Sequence, residues 1–241
     1  MKILRRILIG LLILLVLMVA GLFTWATVSA RPATERALQT LSDNNITRED
    51  GLLVFQPDTQ PTLGLIYYPG GLVDPEAYAV SAQGIADAGY LVVIPKMALN
   101  LAVTGINKAD DIIDKYPEID SWVIGGHSLG GAMAAEYAKN NANVIDGMIL
   151  YASFPASSED YINVPFDIFT IYGSEESGAP EMAAFYDIVA DSAEEYVIDG
   201  GNHAQFGDYG LQGGDGTATI SPADQQEQIV EQTVLFLESI Q

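Results

Sequence analysis

The 241-residue chain is 49% hydrophobic and holds 32 acidic against 10 basic residues, a net charge of −22. The apolar share implies a packed globule, and the acidity excludes nucleic acid as a partner, since phosphate binding needs clustered Lys and Arg. With no cysteine in the chain, disulfides, thiol nucleophiles and Cys-based zinc sites are excluded as well.

The first 30 residues differ from the rest. Lys2, Arg5 and Arg6 precede residues 7–30, which carry no charge. As a helix this stretch would reach about 36 Å at ~1.5 Å per residue, enough to span a hydrocarbon core of roughly 30 Å. The basic flank predicts an N-terminus that stays in the cytoplasm and a remainder that crosses, with Trp25 near the outer interface. Two fates are open: an uncleaved single-pass anchor in the cell membrane, or a signal peptide cut after Val28-Ser29-Ala30 that releases a secreted protein. Signal h-regions run to about 7–15 residues, shorter than this one, which favours the anchor. After Ala30 seven basic residues face 32 acidic ones, a net of −25, and no Lys or Arg follows Lys139. This reads as a solvating acidic surface that also repels anionic head groups.

Residues 31–50 read as a polar connector with some helix, and 51–241 as one domain. Strands are expected at 51–55 and 63–68, from their β-branched and aromatic content. Asp74-Pro75 opens a helix to about 88, with Asp as N-cap and Pro at the first position. The wholly apolar 91–95 reads as a strand covered on both faces. A helix is expected near 106–115, a strand at 122–125 and a helix at 129–140. Strands at 145–152 and 166–172, a helix at 181–190 and a strand at 195–198 follow. Ser221-Pro222-Ala223-Asp224 caps a final amphipathic helix to about 239. Strands alternating with helices predict right-handed crossovers and an α/β architecture: a mostly parallel twisted sheet flanked by helices on both faces. Sites in such sheets form at the carboxyl ends of strands.

The loops after the strands hold the chemistry. Gly126-His127-Ser128-Leu129-Gly130 is a G-x-S-x-G motif between a strand and a helix, where a serine perches on a strained turn and glycines two residues either side avoid collision. The Leu129 N–H then points to an oxyanion at the positive end of the helix. A serine needs a base. Of two histidines, His127 would point away from the hydroxyl and reads as structural, which leaves His203 after the last strand. A third group should orient the imidazole. Glu176, in Gly173-Ser174-Glu175-Glu176, is the first choice, with Glu175 and then Asp199 behind it. Tyr68-Pro69-Gly70-Gly71-Leu72 should supply the second oxyanion donor, Gly71 before Leu72.

These residues together resemble the α/β-hydrolase superfamily over nearly all of 50–241, most closely a compact bacterial branch related to dienelactone hydrolases and small esterases. The resemblance rests on PGG at 69–71, GHSLGG at 126–131, YGSEE at 172–176 and GGNHAQFG at 200–207. It implies a Ser–acid–His triad without metal or cofactor: Ser128 as nucleophile, His203 as base, Gly71 and Leu129 as oxyanion donors. Two departures stand out. The acid position usually holds Asp, where only Glu is present here, and the cysteine of true dienelactone hydrolases is absent, so their substrate is not carried over.

Residues 152–166 leave room for a short loop only, so no large cap domain is expected. Residues 95–107 are the expected apolar pocket wall, with Met97 and Leu99 as candidates. The glycine-rich 206–221 loop, with Asp208 and Asp215, is placed to overhang the site, and its spacing matches no calcium loop. The reading is a serine hydrolase acting on a small ester-like substrate through an acyl-enzyme. Amide, thioester and lactone substrates use the same parts, as does acyl transfer to an acceptor other than water. The rival of another class is a non-catalytic ligand- or partner-binding module on this fold.

Overall fold

The computed structural model describes residues 2–42, 45–189 and 193–240. The chain opens with one helix, α1 (Lys2–Ser29), whose stretch Ile3–Ser29 is long and apolar enough to cross a membrane. A short α2 (Glu35–Thr40) follows. Eight strands then form a single sheet: β1 (Ile46–Glu49), β2 (Leu52–Phe55), β3 (Leu63–Tyr68), β4 (Leu91–Pro95), β5 (Ser121–His127), β6 (Gly147–Tyr151), β7 (Asp167–Gly173) and β8 (Ala193–Ile198). Their spatial order is β1-β2-β4-β3-β5-β6-β7-β8. Only the β1–β2 and β2–β4 pairs are antiparallel.

Five further helices cover the sheet: α3 (Ala79–Asp87), α4 (Lys108–Lys115), α5 (Leu129–Asn140), α6 (Ala179–Val189) and α7 (Pro222–Ile240). Because strand side chains alternate between faces, the apolar strands feed two cores. Leu63, Leu65 and Tyr67 of β3 pack with Ala82 and Ile85 of α3 and Phe236 of α7. Ile66 and Tyr68 face the other way, toward Ile112 of α4 and Ala134 of α5. Burial on both sides is why β2, β3 and β4 read as unbroken apolar runs.

The order matters for function. The chain leaves β3 toward β4 on one side, and β5 then pairs on the other side of β3. Connections diverging from neighbouring strands open a crevice at their carboxyl ends. The loop holding Gly71 and the turn holding Ser128 lie at that switch point.

Three local expectations differ. Residues 46–49, read as connector, form edge strand β1, folded back through Asp50 and Gly51, both at positive φ. Asp74 does not cap its helix with its side chain; its Oδ1 accepts from Asn100 Nδ2 at 2.7 Å, and a 3-10 turn (Pro75–Tyr78) precedes α3. The helix expected over 106–115 starts at Lys108, since 98–100 and 102–104 coil as 3-10 turns. Ala190, the expected end of α6, lies outside the described residues, as do Asp43 and Asn44 of the connector. The capping box of α7 is present: Asp224 N donates to Ser221 Oγ at 3.1 Å, and Ser221 Oγ to Asp224 Oδ2 at 2.7 Å. No cap domain interrupts the sheet. Residues 152–166, between β6 and β7, hold only a 3-10 turn, Glu159–Tyr161.

The two free edges of the sheet are polar. β1 carries Arg48 and Glu49, and β8 carries adjacent Glu194 and Glu195.

Candidate active site

Ser128 sits between β5 and α5 at φ 53°, ψ −123°. A non-glycine residue in this region stores on the order of 1–3 kcal/mol of strain, which the surroundings must hold in place. Here three bonds grip its backbone: Ser128 N donates to Tyr151 O at 3.0 Å, and Ser128 O accepts from Ser153 Oγ at 2.7 Å and from Ala132 N at 3.1 Å.

The flanking glycines have a different reason from the expected one. A Cβ on Gly130 would lie 2.1 Å from Tyr68 O and 2.4 Å from Pro69 O, and one on Gly126 would lie 2.6 Å from Tyr68 O. What requires glycine is the approach of the elbow to the backbone that continues β3, not a collision with the serine hydroxyl. That approach also sets the oxyanion side. A Cβ on Gly71 would meet Leu129 Cδ2 at 3.2 Å, so the two residues are neighbours. Leu72 N is committed to Asn100 O at 2.6 Å, and Gly70 N to Tyr78 Oη at 2.9 Å. The Gly71 and Leu129 N–H groups make no hydrogen bond among the described residues. Leu129 opens α5, where the helix dipole adds partial positive charge.

His203 follows β8 and opens a 3-10 turn (Ala204–Phe206). Its Nδ1 lies 3.3 Å from Glu176 Oε1. Glu176 is only 4% exposed, and its Oε2 accepts from Gly173 N at 3.3 Å. Glu175 and Asp199 are exposed and stand elsewhere: the Glu175 carboxylate accepts from Ser174 Oγ. Of the three acids considered, the fold brings Glu176 to the imidazole. Ser128, His203 and Glu176 line one cleft of about 650 Å³. No hydrogen bond joins Ser128 Oγ to His203; such bonds often tighten only once substrate is bound.

His203 is clamped from behind by groups that sequence reasoning did not assign. Asp215 accepts from His203 N at 3.2 Å, Ala204 N at 2.8 Å and Gly216 N at 2.8 Å. Asp208 instead pairs with Arg36 Nε at 2.6 Å. Gln225, fully buried on α7, accepts from Asn202 N at 3.0 Å and donates to Asn202 O at 2.8 Å. A signal existed for Gln225. It falls on the buried stripe with Ile229, Thr233 and Leu237, four residues apart, where an amide has to find partners.

His127, 1% exposed, points into the protein, its Nδ1 2.9 Å from Tyr78 Oη. Burial first, then the neighbouring His203, holds its pKa well below the usual histidine value, so it is neutral. Gly70 N donates to the same Tyr78 hydroxyl. The His127 and His203 rings lie 4.4 Å apart between centroids, so this inert histidine is a wall against which the other rests.

The pocket wall is not where it was expected. Met97 is buried in the core, and Leu99 turns away with Met97 toward α1. The tie between Leu72 N and Asn100 O, with Leu99 and Asn100 both at positive φ, folds that loop back from the cleft. The walls are instead Phe154 to Ala156, Met182 of α6 and Gln212 to Asp215. The 206–221 loop therefore does reach over the site.

Comparison with known proteins agrees with this architecture. The sequence profile of the alpha/beta hydrolase family matches residues 64–227, and the chain belongs to that family. Est1E from Butyrivibrio proteoclasticus superposes with a TM-score of 0.60 at 12% identity, over 81% of this chain and 97% of that one. The esterase domain of a Rhodothermus marinus protein gives 0.59 at 12% identity, over 77% and 90%. TT1662 from Thermus thermophilus gives 0.59 at 14% identity, over 81% and 97%. At such identities these likenesses establish the fold. No curated protein matches the sequence.

Proposed function

We propose that the protein is a serine hydrolase that cleaves small carboxylic esters through an acyl-enzyme, held at the outer face of the cell membrane by α1. The observation that carries the reading is the strained Ser128 sharing one cleft with His203, whose Nδ1 is bound by the buried Glu176. The esterase-like fold of the structural neighbours supports it.

In this mechanism His203 Nε2 takes the Ser128 proton as Oγ bonds to the ester carbonyl carbon. The carbonyl oxygen becomes an oxyanion facing the unpaired Gly71 and Leu129 N–H groups, a contribution of about 2.7–4 kcal/mol per donor in comparable sites. Glu176 keeps Nδ1 protonated and offsets the imidazolium charge. The C–O bond to the alcohol breaks, and His203 returns the proton to the leaving alkoxide. Water, deprotonated by His203, then releases the carboxylic acid and restores Ser128. No metal or cofactor takes part in these steps.

Labelling with a fluorophosphonate probe tests the reading. Wild type should be labelled, and Ser128→Ala and His203→Ala should not. A folded wild type that takes up no probe would sink the mechanism and leave a ligand-binding module. Adding alcohol acceptors to an ester assay separates transfer from hydrolysis by the new ester formed.

A further inference from the structure

The apolar helix and the cleft meet at one edge of the sheet, with no linker between them. α1 ends at Ser29, and Arg31 already bridges Val73 in parallel register. Arg31 N donates to Leu72 O at 2.7 Å, and Asp74 N donates to Arg31 O at 3.0 Å. Thr34 N then donates to Asp208 O, and Arg36 pairs with the Asp208 carboxylate. The emerging chain is thus stitched both to the loop of Gly71 and to the loop that follows His203. Adding one Cα step, one inter-strand spacing and two strand residues puts Gly71 within about 15 Å of Ala30. The last turns of α1 also lie against the protein: Ala26 is 2% exposed, and Phe23, Thr27 and Ala30 face Met97 and Leu99 across a shared cavity. A domain fixed this way cannot stand far off from a bilayer that α1 crosses.

The lips of the cleft fit that position. Leu211 is 95% exposed at the tip of the loop whose next four residues wall the cleft, between Gly210 and Gln212. Phe154, which also lines the cleft, is 40% exposed. Tyr209, two residues before Leu211, lies under Arg31, with the guanidinium carbon 5.9 Å from the ring centroid. The loop tip is thereby tied to the first residues outside the helix. Two large apolar side chains thus stand exposed beside the cleft, one on it and one next to its 212–215 wall.

Charge narrows the ligand. No Lys or Arg lines the cleft, and its two carboxylates are engaged, Glu176 by His203 and Asp215 by three backbone N–H groups. Recognition of a phosphate or a free carboxylate would need a cation there. Arg31 and Lys96 are cations beside the helix exit.

We propose that the substrate is an uncharged lipid ester of the acylglycerol kind, drawn from the bilayer that α1 crosses and entering between Leu211 and Phe154. The proposal rests on the hydrolase reading. Its reaction is ester plus water to fatty acid plus alcohol.

The absence of native cysteine allows single-site labelling. Full-length Leu211→Cys and Asp167→Cys carry a nitrobenzoxadiazole fluorophore in phosphatidylcholine vesicles that contain a head-group spin-labelled lipid. Asp167 starts β7, at the sheet edge opposite the cleft. The label at 211 should be quenched at least threefold more than the label at 167; equal quenching, or none at 211, overturns the proposal. In the same vesicles wild type should release oleate from monooleoylglycerol, and Ser128→Ala should not. Cleavage of soluble p-nitrophenyl butyrate with monooleoylglycerol left intact removes the lipid substrate and leaves the hydrolase reading standing. If neither ester is cleaved and fluorophosphonate does not label Ser128, the hydrolase reading fails, and the substrate falls with it.

Discussion

The two halves of the site are held by different physics. The elbow half, Gly126 to Gly131 against the end of β3, is fixed by contact. Its glycines let backbone touch backbone, and few side-chain hydrogen bonds take part. The other half, Glu176 and His203 with their loops, is fixed by polar side chains: Asp215, Gln225, Asn202 and Glu176 each satisfy main-chain groups or the imidazole. A half held by shape fails when a methyl group is added. A half held by hydrogen bonds fails when an acceptor is removed, and keeps its shape if a near-isostere replaces it.

The sharpest break in that contrast is Glu176→Gln. It preserves size but not charge, and should lower turnover by about 10³-fold, nearly all in kcat, with little loss of thermal stability. Gly130→Ala comes next. A Cβ pressed on two carbonyl oxygens should cost about 3 kcal/mol or more and lower the melting temperature by roughly 6–12 °C in a calorimetric scan. Asp215→Ala leaves three N–H groups without their acceptor in a half-buried loop. It should cost about 2 kcal/mol in denaturant unfolding and lower kcat through a misplaced imidazole. Ser128→Gly runs the other way: it abolishes probe labelling but relieves the positive φ, so the melting point should rise, by an amount worth about 1 kcal/mol. A fall would mean the elbow stores no strain. Glu175→Gln should change neither turnover by more than about twofold nor stability by more than about 0.5 kcal/mol, since the side chain is exposed.

The same contrast explains what was legible. Steric demands fall at fixed offsets in the chain, so the glycines at 126, 130 and 131 mark the elbow from sequence. The apolar runs at 63–68 and 91–95 likewise mark strands covered on both faces. Polar clamps obey no spacing. Asp215 reaches back 12 residues to His203 and Gln225 reaches back 23 to Asn202, so only three dimensions pair them. Two adjacent glutamates were the first candidates for the acid of the proposed triad. Period alone could not say which would turn inward, and the turn after β7 buries the second. The Asp50-Gly51 hairpin was readable from its dipeptide and was passed over because the preceding residues are polar. Met97 and Leu99 misled because an apolar loop beside the site was read as its wall. Met97 packs into the core and Leu99 faces α1 across a cavity, a placement that has no local signature in the sequence.

One last feature concerns neighbours rather than substrates. The sheet ends in two strands, β1 and β8, each paired on one side only. Two β8 strands laid side by side would bring Glu194 and Glu195 of each against those of the other, four carboxylates with no cation between them. The acidity that solvates the surface thus also opposes pairing of two copies along the β8 edge.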